Sequence, residues 1–335
     1  MAPRVPEPRG ELSALLLTRL GPEVRTVPPH VPADPADPIC DDDLQLALYC
    51  CYELHYRGFD GVDPEWEWEP SLLRFRRRLE RIFEDAVLDA VGPPAACPEP
   101  EDMDLALRAI ADADDAPSLS RFIEARATHD QVLEFLTHRS AYQLKEADPH
   151  SFALPRLTGA PKAAAVEIQA DEYGGGRADR MHAALFAKTM RSAGLDDTYG
   201  AYLDLVPGIT LANVNLMSLL ALHRRWRGAA AGHLALFEMT SSVPNGRYAR
   251  GLRRLGFEEA AADFFDEHVV ADAVHENIAA VDLAGGLARQ EPGISAEILW
   301  GARALVLVEG DWARHVMGCF ASDRTSLRVP LTIAA

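Results

Sequence analysis

Long apolar runs are missing: no stretch of the chain reaches the roughly 20 residues that a membrane-spanning helix needs. Thiolate metal motifs are missing too. The five cysteines (Cys40, Cys50, Cys51, Cys97 and Cys319) are odd in number and none is spaced Cys-x-x-Cys. That speaks against a disulfide framework and a thiolate zinc site, and suits a reducing compartment. Positive charge is scarce, with 33 Lys and Arg against 51 Asp and Glu and a formal net charge of -18. A general nucleic-acid or anionic-membrane binder is therefore not expected. The N-terminus, Met-Ala-Pro-Arg-Val-Pro-Glu-Pro-Arg, lacks the apolar core of a signal peptide, so a cytoplasmic location is expected. Strand-like alternation is nearly absent, and only Ser326-Leu-Arg-Val-Pro-Leu-Thr-Ile predicts a short extended piece.

What is present is helical periodicity. A proline-rich arm over 1–40 is expected to be extended and partly ordered. Helices are predicted over 41–56, 70–91 and 101–113, then as one long helix from Ala116 to Glu146. The pattern continues over 162–192, interrupted by Gly174-Gly-Gly176, where each glycine costs a helix interior roughly 1 kcal/mol relative to Ala. Further helices are predicted over 197–205, 207–226, 229–241, 245–254, 257–290 and 292–317, with Pro207, Pro244 and Pro292 marking boundaries. The reading is all-α: a helical bundle (115–320), an N-terminal helical extension (41–114) and a C-terminal tail (321–335).

Within this pattern, His268-Val-Val-Ala-Asp272-Ala-Val-His275 sets two imidazoles and a carboxylate at i, i+4 and i+7. On a helix they fall on one stripe, surrounded by Val and Ala. Such groups facing a core are costly unless something binds them; the alternative is a set of satisfied core histidines. A second stripe is Glu172, Asp179 and His182, on one face if the helix continues through the glycines. A third candidate is Glu134, among Val132, Leu133, Phe135 and Leu136, with His138 as a rival. Three imidazoles and four carboxylates make seven ligands, the complement for two metal ions, with room for water or dioxygen. Nitrogen and oxygen donors without thiolate suit iron or manganese.

The set Glu134, Glu172-x6-Asp179-x2-His182 and His268-x3-Asp272-x2-His275 resembles the haem-oxygenase-like di-iron oxidases, the iron-containing redox enzymes. The resemblance implies a haem-oxygenase-like bundle with two Fe(II)/Fe(III) ions, no haem, and O2 as co-substrate reduced to a bridging peroxide. It implies six core ligands: Glu134, Glu172, His182, His268, Asp272 and His275. An added carboxylate at Asp179 is associated with N-oxygenases of secondary metabolism, so N-oxygenation of a small amine or amino-acid-type metabolite is expected. Oxidative C–C cleavage, desaturation or decarboxylation of an amino or fatty acid is the alternative, and a non-enzymatic helical binding protein is the alternative of another class. A haem oxygenase proper needs an early proximal histidine without clustered carboxylates, and His30 and His55 are poor candidates for it. The three-glycine segment is expected to hold its helix loosely until metal binds.

Candidate substrate contacts are Tyr202, Asn213, Asn215 and Arg224, with Tyr199, His223 and Arg225 nearby. Glu238 is either a support for the ligands or an exposed helix position, and Asp148-Pro-His150 reads as a loop. The expected partners are a small-molecule substrate and an external electron donor, with no nucleic acid and no membrane. A homodimer contact through Cys50, Cys51 and Tyr52 is a further expectation.

Overall fold

In the computed structural model, which describes residues 2–29, 34–95 and 99–332, every described regular element is a helix. His30 and Cys97 lie outside the described residues. The chain runs through α1 (Glu11–Leu17), α2 (Asp42–Glu53), α3 (Pro70–Val91), α4 (Met103–Asp112), α5 (Leu119–Ala125) and α6 (His129–Gln143). It continues with α7 (Asp148–Ser151), α8 (Gly159–Glu172), α9 (His182–Ser192), α10 (Gly208–Leu222), α11 (Arg227–Arg254) and α12 (Glu259–Asn277). A π-helical segment (Ile278–Gly285) leads into α13 (Gly286–Gln290), and α14 (Ser295–Ala321) completes the set. No helix is long and apolar enough to cross a membrane among the described residues.

At the centre lies α10, whose residues from Gly208 to Ala221 are all buried, as expected of a helix apolar on every side. Packed on it are α2, α6, α7, α11 and α14. Along its length α11 lies against both α12 and α14. The α11–α14 crossing is a backbone contact: a Cβ on Gly232 would stand 1.8 Å from the Ile298 carbonyl oxygen, and one on Gly301 2.1 Å from that of Ala229.

Several predicted helices are divided or joined differently. The expected helix from 116 to 146 breaks between α5 and α6. There Thr128 caps α6, its Oγ1 accepting from Gln131 N at 3.3 Å while Gln131 Oε1 accepts from Thr128 N at 3.0 Å. The expected helix over 162–192 stops at Glu172, because Gly174, Gly175 and Gly176 take φ of 67°, 59° and 81°. That left-handed region suits glycine and turns the chain aside. Residues 197–205 form turns, closed by Asp196 Oδ1 accepting from Thr198 N at 2.8 Å and by Gly200 at φ 78°. Pro244 does not end a helix; α11 runs through it. The N-terminal arm contributes α1 and buries Leu12, Leu16, Leu17 and Val27 in the main core. The described part of the tail forms bends rather than a strand. Cys50, Cys51 and Tyr52 are buried in the chain's own core.

Candidate metal centre

Five segments converge between α6, α8, α9, α11 and α12. Glu146 stands in the turn after α6, Glu172 is the last residue of α8, and His182 the first of α9. Glu238 lies midway along α11, and His268, Asp272 and His275 share one face of α12. Because α8 ends at Glu172 and α9 starts at His182, the glycine turn brings these two together: His182 Nδ1 and Glu172 Oε2 are 3.0 Å apart. Opposite them, His268 Nε2 is 3.4 Å from Glu146 Oε1. His275 Nδ1 is 3.3 Å from Glu238 Oε2, and its Nε2 is 3.1 Å from Asp171 Oδ2 at the protein surface.

Ligand-type atoms of Glu146, Glu172, His182 and His268 all lie within 4.8 Å of one another, and so do those of Glu172, Glu238 and His275. Glu172 belongs to both groups. Asp272 is buried beside them, lining the same small cavity as Glu146, Glu172, Glu238 and His268, with one oxygen accepting from Asn245 Nδ2 at 3.3 Å.

Two of the sequence candidates stand apart. Glu134 Oε2 accepts from Ser326 N at 2.7 Å and Ser326 Oγ at 2.6 Å, so it ties down the C-terminal tail. Its rival His138 is engaged with Thr210 Oγ1 at 2.6 Å and Ser326 Oγ at 3.0 Å. Asp179 is exposed on the turn between α8 and α9. Glu146, which sequence reasoning missed, has the place next to His268. Glu238, left open from sequence, faces His275. The substrate candidates lie elsewhere. Tyr202 Oη accepts from Asp196 N, Asn215 bonds to Gln45, and Arg224 is exposed. Asn213 borders a small cavity with His138 and His233.

A larger cavity of about 490 Å³ reaches the cluster at Glu146 and His268 and opens between α5, α11 and α14. Phe135, Phe237, Tyr248, Phe265 and Trp312 give it aromatic walls, and Gln143 and Arg247 add polar groups.

The family model for the iron-containing redox enzymes matches residues 133–310, more than half of the chain and all of the converging residues. The chain belongs to that family. Its all-α architecture is the haem-oxygenase-like fold. No curated protein matches the chain.

The donor set of this iron-containing redox enzyme fits a metal. Glu146 Oε2, Glu172 Oε2, His182 Nδ1, His268 Nε2 and His275 Nδ1 are buried atoms with no hydrogen-bond partner, although they approach one another closely. Unpaired buried polar atoms of this kind are costly unless a cation lies between them. His268 Nδ1 donates to the Phe264 carbonyl at 2.8 Å, which leaves the lone pair on Nε2, toward the cluster. Burial, with Glu238, Glu146 and Glu172 adding and His268 opposing, pushes the Asp272 carboxyl up to about 8. Burial opposes charge on His275, yet the Glu238 carboxylate close beside it outweighs burial and lifts the imidazole to about 9. Protons therefore occupy the cluster when no metal does. Four carboxylates (Glu146, Glu172, Glu238 and Asp272) bring the negative charge that a bound cation would offset.

Proposed function

We propose that this enzyme is a non-haem di-iron oxygenase that activates O2 and N-oxygenates a small amine or amino-acid-type metabolite. The observation that carries the reading is Glu172, shared by two groups of buried, unpartnered ligand atoms. One shared carboxylate between two nitrogen- and oxygen-rich groups suits a pair of iron ions. A haem would need an open slot beside one imidazole, whereas three imidazoles here face carboxylates. Iron bound there supplies electrons for O2 reduction. N-oxygenation inserts one oxygen atom into an N–H bond and reduces the other to water, consuming two electrons and two protons. An external donor renews the electrons.

The chain's own residues orient and protect. His268 is held by the Phe264 carbonyl so that Nε2 stays available. His275 has Nδ1 toward Glu238 and Nε2 toward surface Asp171, and we assign it the route by which protons enter. Substrate occupies the 490 Å³ cavity, whose aromatic walls offer apolar contact beside polar groups such as Gln143 and Arg247. Arg139 there is committed to Glu309, at 2.8 and 3.1 Å, and Arg247 lies 3.8 Å from Glu124, so Arg121 and Arg247 are the cations at the cavity that could meet a substrate carboxylate. Rewinding of 173–181 on metal binding would turn Asp179 onto the face of Glu172 and His182.

The test is anaerobic ferrous loading followed by stopped-flow mixing with O2, beside His275→Ala. Two irons per chain and a transient visible absorption lost in the variant are expected; no iron uptake would overturn the reading. With candidate amines and labelled O2, one labelled atom should reach nitrogen. Asp179→Ala should lower that product on the order of tenfold while iron stays bound. Labelled or cleaved carbon products instead would favour C–C cleavage or desaturation, which the apolar cavity walls also suit.

A further inference from the structure

The turn Leu144–Ala147, which presents Glu146, is held in part by Glu53 and Arg57, which precede the family match. Lys145 has a side chain only 1% exposed. Its Nζ donates to Glu53 Oε2 at 2.8 Å and lies 4.5 and 4.3 Å from the ring centres of Tyr49 and Tyr56. Tyr199 Oη donates to the same Glu53 oxygen at 2.6 Å. On one side of Lys145, the Leu144 carbonyl accepts from Arg57 Nη2 at 3.0 Å, and that guanidinium lies 4.0 Å over the Tyr199 ring. On the other side of the turn, the Ala147 carbonyl accepts from Gln169 Nε2 at 2.9 Å, which ties it to α8 and so to Glu172.

A fully buried ion pair contributes little net stability, because taking both charges out of water offsets their attraction. Its distinctive effect is geometric. Lys145 reaches down to α2 while its neighbour Glu146 faces His268 on α12, so anchoring one side chain aims the other. A free turn would let Glu146 rotate away from three other buried ligand groups. We propose that the Glu53–Lys145 pair is a positioning device for Glu146, which makes α2 of the N-terminal extension a working part of the metal centre. The inference rests on the two-ion reading above, and it is selective. The group Glu146, Glu172, His182 and His268 depends on this turn; the group Glu172, Glu238 and His275 does not.

Lys145→Met alone strands the Glu53 carboxylate, so the variant is Glu53→Gln with Lys145→Met, which removes both charges together. Arg57→Gln, which frees only the Leu144 carbonyl, is the milder second variant, and Glu146→Gln is the reference. Each full-length protein is titrated with Mn(II), reading bound ions per chain and the paramagnetic resonance signature. Wild type should hold two ions with a spin-coupled signal. The double variant, like Glu146→Gln, should hold one ion with an uncoupled six-line signal. Loss of support for a ligand should weaken that site about 10–100-fold, and Arg57→Gln should give a smaller loss at the same ion. If wild type and both supporting variants bind two ions with equal affinity, the positioning role is overturned and the two-ion reading stands. If wild type itself binds fewer than two, the two-ion reading fails and takes this inference with it.

Discussion

Among the described residues, six buried histidines divide into two sets of similar burial and opposite electrostatics. His182, His268 and His275 stand among carboxylates, and all three are pushed up despite burial. His138 and His233 are equally enclosed with no carboxylate acting on them, and at His150 the nearby Glu146 is too weak an influence to offset burial. Burial drives His138 down to about 3, His150 to about 4, and His233 well below its usual range. Depth alone does not mark a site; the company of carboxylates does. Each set answers the same desolvation cost differently, one by staying neutral and one by gathering countercharge.

The comparison breaks most sharply by substitution. His268→Ala should cost metal affinity more than the roughly 100-fold upper range of a supporting residue and reduce O2-dependent turnover to background. His138→Gln should keep both ions, because its partners are hydroxyls of Thr210 and Ser326. Metal analysis of the two purified variants decides it; equal loss in both would erase the distinction.

A smaller effect follows from pH. Asp272 rises from 3.8 to about 8 and His275 from 6.5 to about 9, so the folded apo-protein holds protons the unfolded chain has released. Stability must then fall as pH climbs, by about 1.4 kcal/mol per pH unit for each such proton. His138 and His150 act in the opposite sense: they stay neutral where the unfolded imidazole charges, so they cost stability as pH drops below 6.5. Above that value they are silent and the decline belongs to the cluster. Apo melting temperatures between pH 7 and 9 should decrease, and Asp272→Asn or saturating Mn(II) should flatten the curve. A flat curve for the apo wild type would contradict the assignment.

The smallest effect separates two glutamates. Glu134→Gln should leave ion binding intact and cost about 1–2 kcal/mol through weakened bonds to Ser326. Glu146→Gln should do the reverse, removing one ion at little thermal cost. Denaturant melts beside metal titrations measure both.

Much of this was readable from residue order, for reasons that also explain the omissions. The α12 stripe was legible because a regular helix converts spacing into direction, and α3 matches its predicted span of 70–91. The break before α6 carried its own signal, since Thr128-x-x-Gln131 is a capping box inside an otherwise continuous pattern. Glu146 was hidden because a turn has no periodicity from which to read a side chain's direction. Its one clue was Lys145-Glu146 at the end of the helical pattern through Tyr142 and Leu144, where two charges need partners. Asp179 was misaligned with Glu172 because the stripe assumed helix through three glycines that instead adopt positive φ. The larger cavity draws on α5, α6, α11 and α14 together, a combination no local pattern encodes.

The close backbone contacts of Gly232 with Ile298 and of Gly301 with Ala229 have a mechanical consequence. With backbone against backbone, α11 has no side chains on which to slide or roll over α14. Glu238 lies six residues further on, about 9 Å along the helix, so it inherits that immobility. On the far side, Glu172 and His182 are joined by a turn whose three glycines take positive φ and which is held by local bonds from Gly176 N to Tyr173 O and from Arg177 N to Gly174 O. The centre thus has one jaw set by backbone packing between long helices and one set by a local turn. Were an ion bound, the first jaw would fix its position and the second would be the one to adjust to its radius.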